Sequence, residues 1–169
     1  MQYVKKYTVG KWDIQKKELL SHIESFKKTN NEKYGYATFS DYWSSEKTDP
    51  SYKEFFNYMI HPYLMDYCRS WGCDKYVLNR VWFMEYSHED SNMASHNHTN
   101  TNMCGVLQLV IEGDAKPTKL FGSDVELTEG DLVLFPSMLP HTSPLIKSGK
   151  KVVIGFDWTM WGVGSKENE

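Results

Sequence analysis

The chain has 169 residues, a formal net charge of −3 and interspersed acids and bases. This bounds it to one domain (1–169) with a real core and argues against nucleic-acid or anionic-membrane partners. It has neither a charged leader with an apolar stretch nor an apolar run of bilayer length, so a soluble, cytoplasmic protein with no membrane partner is expected.

In chain order, residues 2–9 alternate enough to form a first strand. Asp13 is placed to cap a helix through about Lys28, with Leu19, Ile23 and Phe26 on one face. Residues 29–49 hold no sustained period and read as a loop, with Thr38-Phe39 a short strand. Asp49-Pro50 has the pattern of an N-cap and first-turn proline. The helix that follows should bury Phe56, Met59, Ile60, Tyr63 and Tyr67, kink or restart at Pro62, and end at Gly72. His22 and His61 fall in these helices and are read as ordinary helix residues.

From residue 75 the texture changes to short β-branched and aromatic runs: Lys75–Tyr86, Asn102–Ile111, Thr118–Phe121, Asp124–Leu127, Asp131–Phe135, Thr142–Ile146 and Lys151–Met160. Turns such as Glu112-Gly113-Asp114 and Glu129-Gly130-Asp131 separate them. So many short strands predict a mainly β sandwich or barrel (about 75–160), with the helical part (about 11–72) packed on one outer face. Cys68, Cys73 and Cys104 form an odd set without a C-x-x-C pair and read as reduced thiols filling the core.

Two stretches carry the chemistry. In Ala94-Ser95-His96-Asn97-His98-Thr99, extended backbone sends His96 and His98 to the same side. In Phe135-Pro136-Ser137-Met138-Leu139-Pro140-His141, the prolines close a strand and hold the approach to His141 extended. Three imidazoles from two strand ends suit a first-row divalent metal, and open positions would make it catalytic. Glu89 or Asp90 could supply a carboxylate in place of His98.

These segments point to two related families. Cupin motifs match only in part: Gly130, Pro136 and His141 fit, whereas Asp90, Asn102 or Met103, Met138 and Leu145 depart. His96-Asn97-His98 followed by Cys104-Gly105-Val106-Leu107 resembles the H-x-H…S-G-V-x-Y signature of small bacterial and phage 2-oxoglutarate–iron oxygenases. Glu129 to Ser137 with His141 resembles their G-D-L-x-x-F-P-S-x-L-x-H segment, and Lys151 to Asp157 their R-I-S-I-A-F-N strand. The resemblance covers about residues 80–158. It implies a double-stranded β-helix (jelly-roll, cupin-like) core and the cofactors Fe(II) and 2-oxoglutarate. It further implies oxidative decarboxylation of the cosubstrate coupled to hydroxylation, by molecular oxygen, of a small-molecule or peptidyl substrate.

Two departures from the family pattern bear on the site. His98 stands where most of the superfamily places an aspartate or glutamate ligand, giving a three-histidine set of His96, His98 and His141. Such sets also occur in cupin dioxygenases that use no cosubstrate. Lys151 stands where the family has an arginine that pairs with the far carboxylate of 2-oxoglutarate. Strand alternation puts Lys151, Val153, Gly155 and Asp157 on one face, with Gly155 leaving space beside the cosubstrate if that face points inward; Lys150 points the other way, toward solvent. Arg80, Trp82, Met84 and Tyr86 share another face, and the resemblance makes Tyr86 a candidate contact for 2-oxoglutarate. Gln108 lies on the Cys104/Val106/Val110 face; a buried amide must be paired, and a bound acid and a core hydrogen bond are both open.

Overall fold

The computed structural model describes residues 3–29, 37–87 and 91–162. Its frame is a six-stranded antiparallel sheet facing a three-stranded one. The large sheet has the order β1 (Lys5–Thr8), β7 (Asp131–Pro136), β5 (Met103–Gly113), β9 (Gly149–Trp161), β3 (Lys75–Tyr86), β2 (Phe39–Ser40). The small sheet has the order β4 (Met93–His96), β8 (His141–Ser143), β6 (Lys119–Leu120). Among the described residues no helix is long and apolar enough to cross a membrane.

Alternation along the large sheet splits the core in two. Val81, Phe83, Leu107, Leu132, Leu134, Ile154 and Phe156 face the helices α1 (Trp12–Thr29) and α3 (Lys53–Ser70), which cover this outer face with Leu19, Ile23, Phe56, Ile60 and Leu64. Trp82, Met84, Cys104, Val106, Val133, Phe135 and Val153 face inward toward the small sheet. With both faces covered, the central strands read as nearly continuous apolar runs. The helices thus lie on one outer face of the β core, as expected.

Helix boundaries differ from the sequence pattern for local reasons. Asp13 lies inside the first turn of α1, because Lys11 adopts φ 52° and its carbonyl accepts from Ile14 and Gln15. Asp49-Pro50 leads into a turn at Ser51-Tyr52, and α3 begins later, with Tyr52 at its N-cap and Asp49 paired to the Lys53 amine at 2.7 Å. Pro62 does not break α3. It lies on the exposed face near Tyr58, where a carbonyl deprived of its donor meets water. Tyr63 is only half-buried, and Leu64 takes the core position instead. Asp124–Leu127 forms no strand, although Val125 and Leu127 still pack into the inner core. The four-residue helix α2 (Tyr42–Ser45) and strand β4 were not expected from periodicity.

One glycine is dictated by close packing across the large sheet. A Cβ on Gly105 would lie 2.0 Å from Cζ of Phe156, a fully buried ring. Gly105→Ala is therefore expected to destabilise the fold by about 1–3 kcal/mol or more, as overpacked cores do. Urea unfolding measures this, and a wild-type midpoint would show that Phe156 moves aside freely.

Candidate metal centre

His96 ends β4 and lies directly opposite His141 at the start of β8. His98 lies two residues beyond the strand, its backbone N–H donating to the Ser137 carbonyl at 2.9 Å. The rings of His96 and His141 have centroids 4.3 Å apart, and the His98 ring lies 5.2 Å from each. One nitrogen from each of the three falls within 4.8 Å of the others.

The hydrogen bonds behind the rings fix which nitrogens face inward. Nδ1 of His96 donates to the Ala94 carbonyl at 2.9 Å, and Nδ1 of His141 to the Leu139 carbonyl at 3.2 Å. A carbonyl only accepts, so each Nδ1 carries the proton and each Nε2 keeps a lone pair. Nδ1 of His98 meets the Asp157 carboxylate at 2.5 Å, which likewise leaves Nε2 as the nitrogen not engaged behind the ring. Burial holds His96 and His141 below the usual histidine range, His141 at about 4, so both rings are neutral at physiological pH. Three imidazoles, each with Nδ1 engaged behind it and Nε2 left to face the others, are a donor set that a first-row divalent cation takes. Glu89 and Asp90, the alternative carboxylates, lie outside the described residues.

Behind His96 and His141 is a narrow inner chamber lined also by Trp82, Tyr86, Thr118 and Ser143. Lys151 is fully buried beside it. Its amine donates to Ser143 Oγ at 2.9 Å and Thr118 Oγ1 at 3.4 Å, and lies 5.7 Å from the Tyr86 ring centre. Among the described residues no carboxylate pairs with it. Burial alone lowers its pKa to about 7.

The remaining expectations divide. Lys151, Val153, Gly155 and Asp157 do share the inward face of β9. Gly155 makes room for Trp82 rather than for a ligand, since a Cβ there would lie 2.9 Å from that indole. Lys150 points to the opposite face but is not simply solvated: it pairs with Glu85 at 3.4 Å, beside the Lys27–Glu85 bridge at 2.9 Å. Gln108 is fully buried and engaged by Thr118 in both directions, amide nitrogen to Oγ1 at 3.1 Å and Thr118 N–H to Oε1 at 3.3 Å. Its partner is thus the core hydrogen bond, and it reaches the chamber only through Thr118. A bulge between Gln108 and Val110 turns Val110 toward the helices. His22 pairs with Glu18 and His61 with Tyr76, outside the cluster.

Thr118 and Ser143 are the site residues that periodicity did not single out, and Asp157 is one that alternation places on the Lys151 face without a role. Ser143 follows His141 by two on a short strand, the spacing that puts both on one face. Thr118 carries no local signal.

In front of the histidines is an open cleft of about 380 Å³, lined by Tyr42, Arg80, Trp82, Asn97, Asn100 and Asp157 among others. The Tyr42 and Trp82 rings cross at 88° with centroids 5.4 Å apart. Arg80 stacks on Tyr42, its guanidinium carbon 3.4 Å from the ring centre, and pairs with Glu46 at 2.8 Å. Asp41 fixes this wall: it accepts from the Phe83 N–H at 2.8 Å and the Tyr52 hydroxyl at 2.9 Å at the start of α2.

No protein-family model matches the chain, and no curated protein matches it by sequence. Solved structures match along nearly its whole length. The viral collagen prolyl hydroxylase vCPH from Paramecium Bursaria Chlorella virus-1, a 2-oxoglutarate complex, is 15% identical with TM-score 0.64, over 93% of this chain and 96% of that one. A Pseudomonas putida prolyl-4-hydroxylase is 15% identical with TM-score 0.62, over 93% and 92%. HygX from Streptomyces hygroscopicus, with nickel and 2-oxoglutarate bound, is 11% identical with TM-score 0.65, over 95% and 85%. The chain shares the double-stranded β-helix fold of these proteins.

Proposed function

We propose that this chain is an Fe(II)/2-oxoglutarate-dependent dioxygenase that hydroxylates a small molecule, an amino acid or a peptidyl side chain. The observation that carries this reading is Lys151. A buried cation with no carboxylate partner among the described residues is costly to the fold, and its place beside the histidine chamber gives that cost a use. A dianionic 2-oxo acid would supply the missing charge. A cupin dioxygenase with three histidines and no cosubstrate has no need of such a group.

On this reading His96, His98 and His141 hold the metal, and Lys151 fixes the far carboxylate of 2-oxoglutarate. The bound iron and cosubstrate supply oxidative decarboxylation and oxygen activation. Ser143 and Thr118 hold the amine in place, while Gln108 locks Thr118. Tyr86 and Trp82 wall the chamber and exclude water from it. The outer cleft, between Tyr42, Trp82 and the Asn97–Asn100 segment, takes the substrate and presents it to the metal.

The test is succinate formation under air from protein, iron(II) and 2-oxoglutarate with no substrate added. Slow, iron-dependent succinate is expected; its absence together with no affinity for 2-oxoglutarate would return the chain to the cupin reading. The pH dependence has a fixed sign. Burial depresses the Lys151 pKa to about 7, so above that pH the free protein must take up a proton when the carboxylate binds. Affinity for 2-oxoglutarate should weaken by up to about tenfold per pH unit above 7. Calorimetry in buffers of different ionisation enthalpy would register the uptake, and a flat profile would remove Lys151 from the binding step.

A further inference from the structure

Replacing a carboxylate ligand by His98 would leave a divalent ion facing three neutral donors. One hydrogen bond further out, the structure holds a carboxylate. We propose that Asp157 is a positioning residue that acts on the metal through His98, so that the His98–Asp157 pair together takes the place of the missing anionic ligand. This inference rests on the three-histidine reading of the centre.

Several observations converge on it. His96 and His141 are each held by a backbone carbonyl, a neutral acceptor; His98 alone is held by a charged one, at 2.5 Å. Both side chains are largely shielded, His98 16% and Asp157 14% exposed, so water screens their interaction little. Among the described residues His98 is the only ion-pair partner of Asp157. The neighbouring cation, Arg80, is opposite Asp157 in the β3/β9 register, yet it bonds Glu46 and the Tyr42 carbonyl. Cys104 is also opposite, on β5, and its thiol donates to the same Oδ1 at 3.3 Å, which orients the carboxylate toward His98. Trp82 lies over the other side, its ring 28° from parallel to the His98 imidazole at 5.8 Å. The imidazole is therefore fixed in angle, with Nδ1 engaged and Nε2 left to face the other two rings. A carboxylate behind a ligating imidazole raises its basicity, and removing such a partner commonly costs 10- to 100-fold in metal affinity.

A rival arrangement uses the same atoms differently. His98, Cys104 and Asp157 also place one donor each within 4.8 Å of the others, so Asp157 could ligate a metal directly. The two arrangements differ in whether Asp157 matters once the imidazole is gone.

The experiment is a double-mutant cycle read by binding of nickel(II) or iron(II) alone, without cosubstrate and under nitrogen. It uses wild type, Asp157→Asn, His98→Ala and the double variant, each checked for folding by its metal-free unfolding midpoint. Asp157→Asn is expected to lower affinity by about 10- to 100-fold with His98 present, and by less than about threefold in the His98→Ala background. Asp157→Glu, which keeps the charge and faces an open cleft, should bind more tightly than Asp157→Asn. No loss in Asp157→Asn, equal or larger loss when His98 is absent, or Asp157→Glu binding no better than Asp157→Asn each overturns the proposal, while the metal centre itself stands. A wild type that binds neither ion overturns the metal centre and this inference with it.

Discussion

Replacing Lys151 by methionine is expected to make the protein more stable and to remove its affinity for 2-oxoglutarate. Lys151 is fully buried, and its pKa falls from 10.5 to about 7. The unfolded chain binds the proton far more tightly than the folded one, so protonation favours unfolding. The cost is fully present below about pH 7 and disappears as pH rises through the unfolded value of 10.5. Its magnitude at neutral pH is on the order of 3–5 kcal/mol. Methionine fills similar volume without charge, and Thr118 keeps its bonds to Gln108. Part of the gain is lost because Ser143 gives up its donor. A net stabilisation of about 2–4 kcal/mol by urea unfolding at pH 7, shrinking toward pH 10, is expected. In the same variant 2-oxoglutarate affinity should fall by about one to three decades, since truncating one partner of a poorly hydrated charge pair costs about 2–5 kcal/mol. A variant that gains no stability would mean the amine is already compensated; one that binds as wild type does would separate Lys151 from the cosubstrate.

Lys151 was legible through the resemblance, as the residue standing at the family's arginine; period-2 alternation groups it with Val153, Gly155 and Asp157, but which way that face points is set by the fold. The clustering of the histidines was legible because an H-x-H pair on extended backbone and a proline-bracketed strand end can bring three imidazoles to neighbouring strand ends. What the chain does not announce is who meets whom across the sheets. Asp157 shares a face with Lys151, but only the β5–β9 and β3–β9 registers, with a bulge between Leu78 and Arg80, bring it between Cys104 and the His98 loop. Strand β4 carries no alternation of its own and exists through its pairing with β8. Helix α2 is too short to have a period and is held by tertiary bonds from Asp41 and Ser40. Asp124–Leu127 shows the converse: its pattern alternates, yet among the described residues it joins no ladder.

The histidines themselves should differ in weight. His141→Ala is expected to abolish binding of iron(II) or nickel(II), with a loss of at least about three decades, while leaving the metal-free fold near wild-type stability. His141 is buried against Phe135, with ring centroids 5.0 Å apart, and its Nδ1 is held by a carbonyl two residues away. Its place therefore depends on β8, which stays put when the ring is removed. The apolar core is built by other side chains, so the variant opens a small cavity rather than a hole in the packing. His96→Ala should behave the same way, because His96 is paired directly opposite. His98→Ala should retain measurable binding, because two neutral imidazoles fixed across one strand pair still form a site and water can complete it. His98→Asp puts the superfamily's commoner ligand on the same loop and should bind more tightly than His98→Ala. Anaerobic calorimetry on the four metal-free variants gives the ordering. Unchanged affinity in His141→Ala would sink the three-histidine centre, and equal affinity in His98→Ala and wild type would leave His98 out of it.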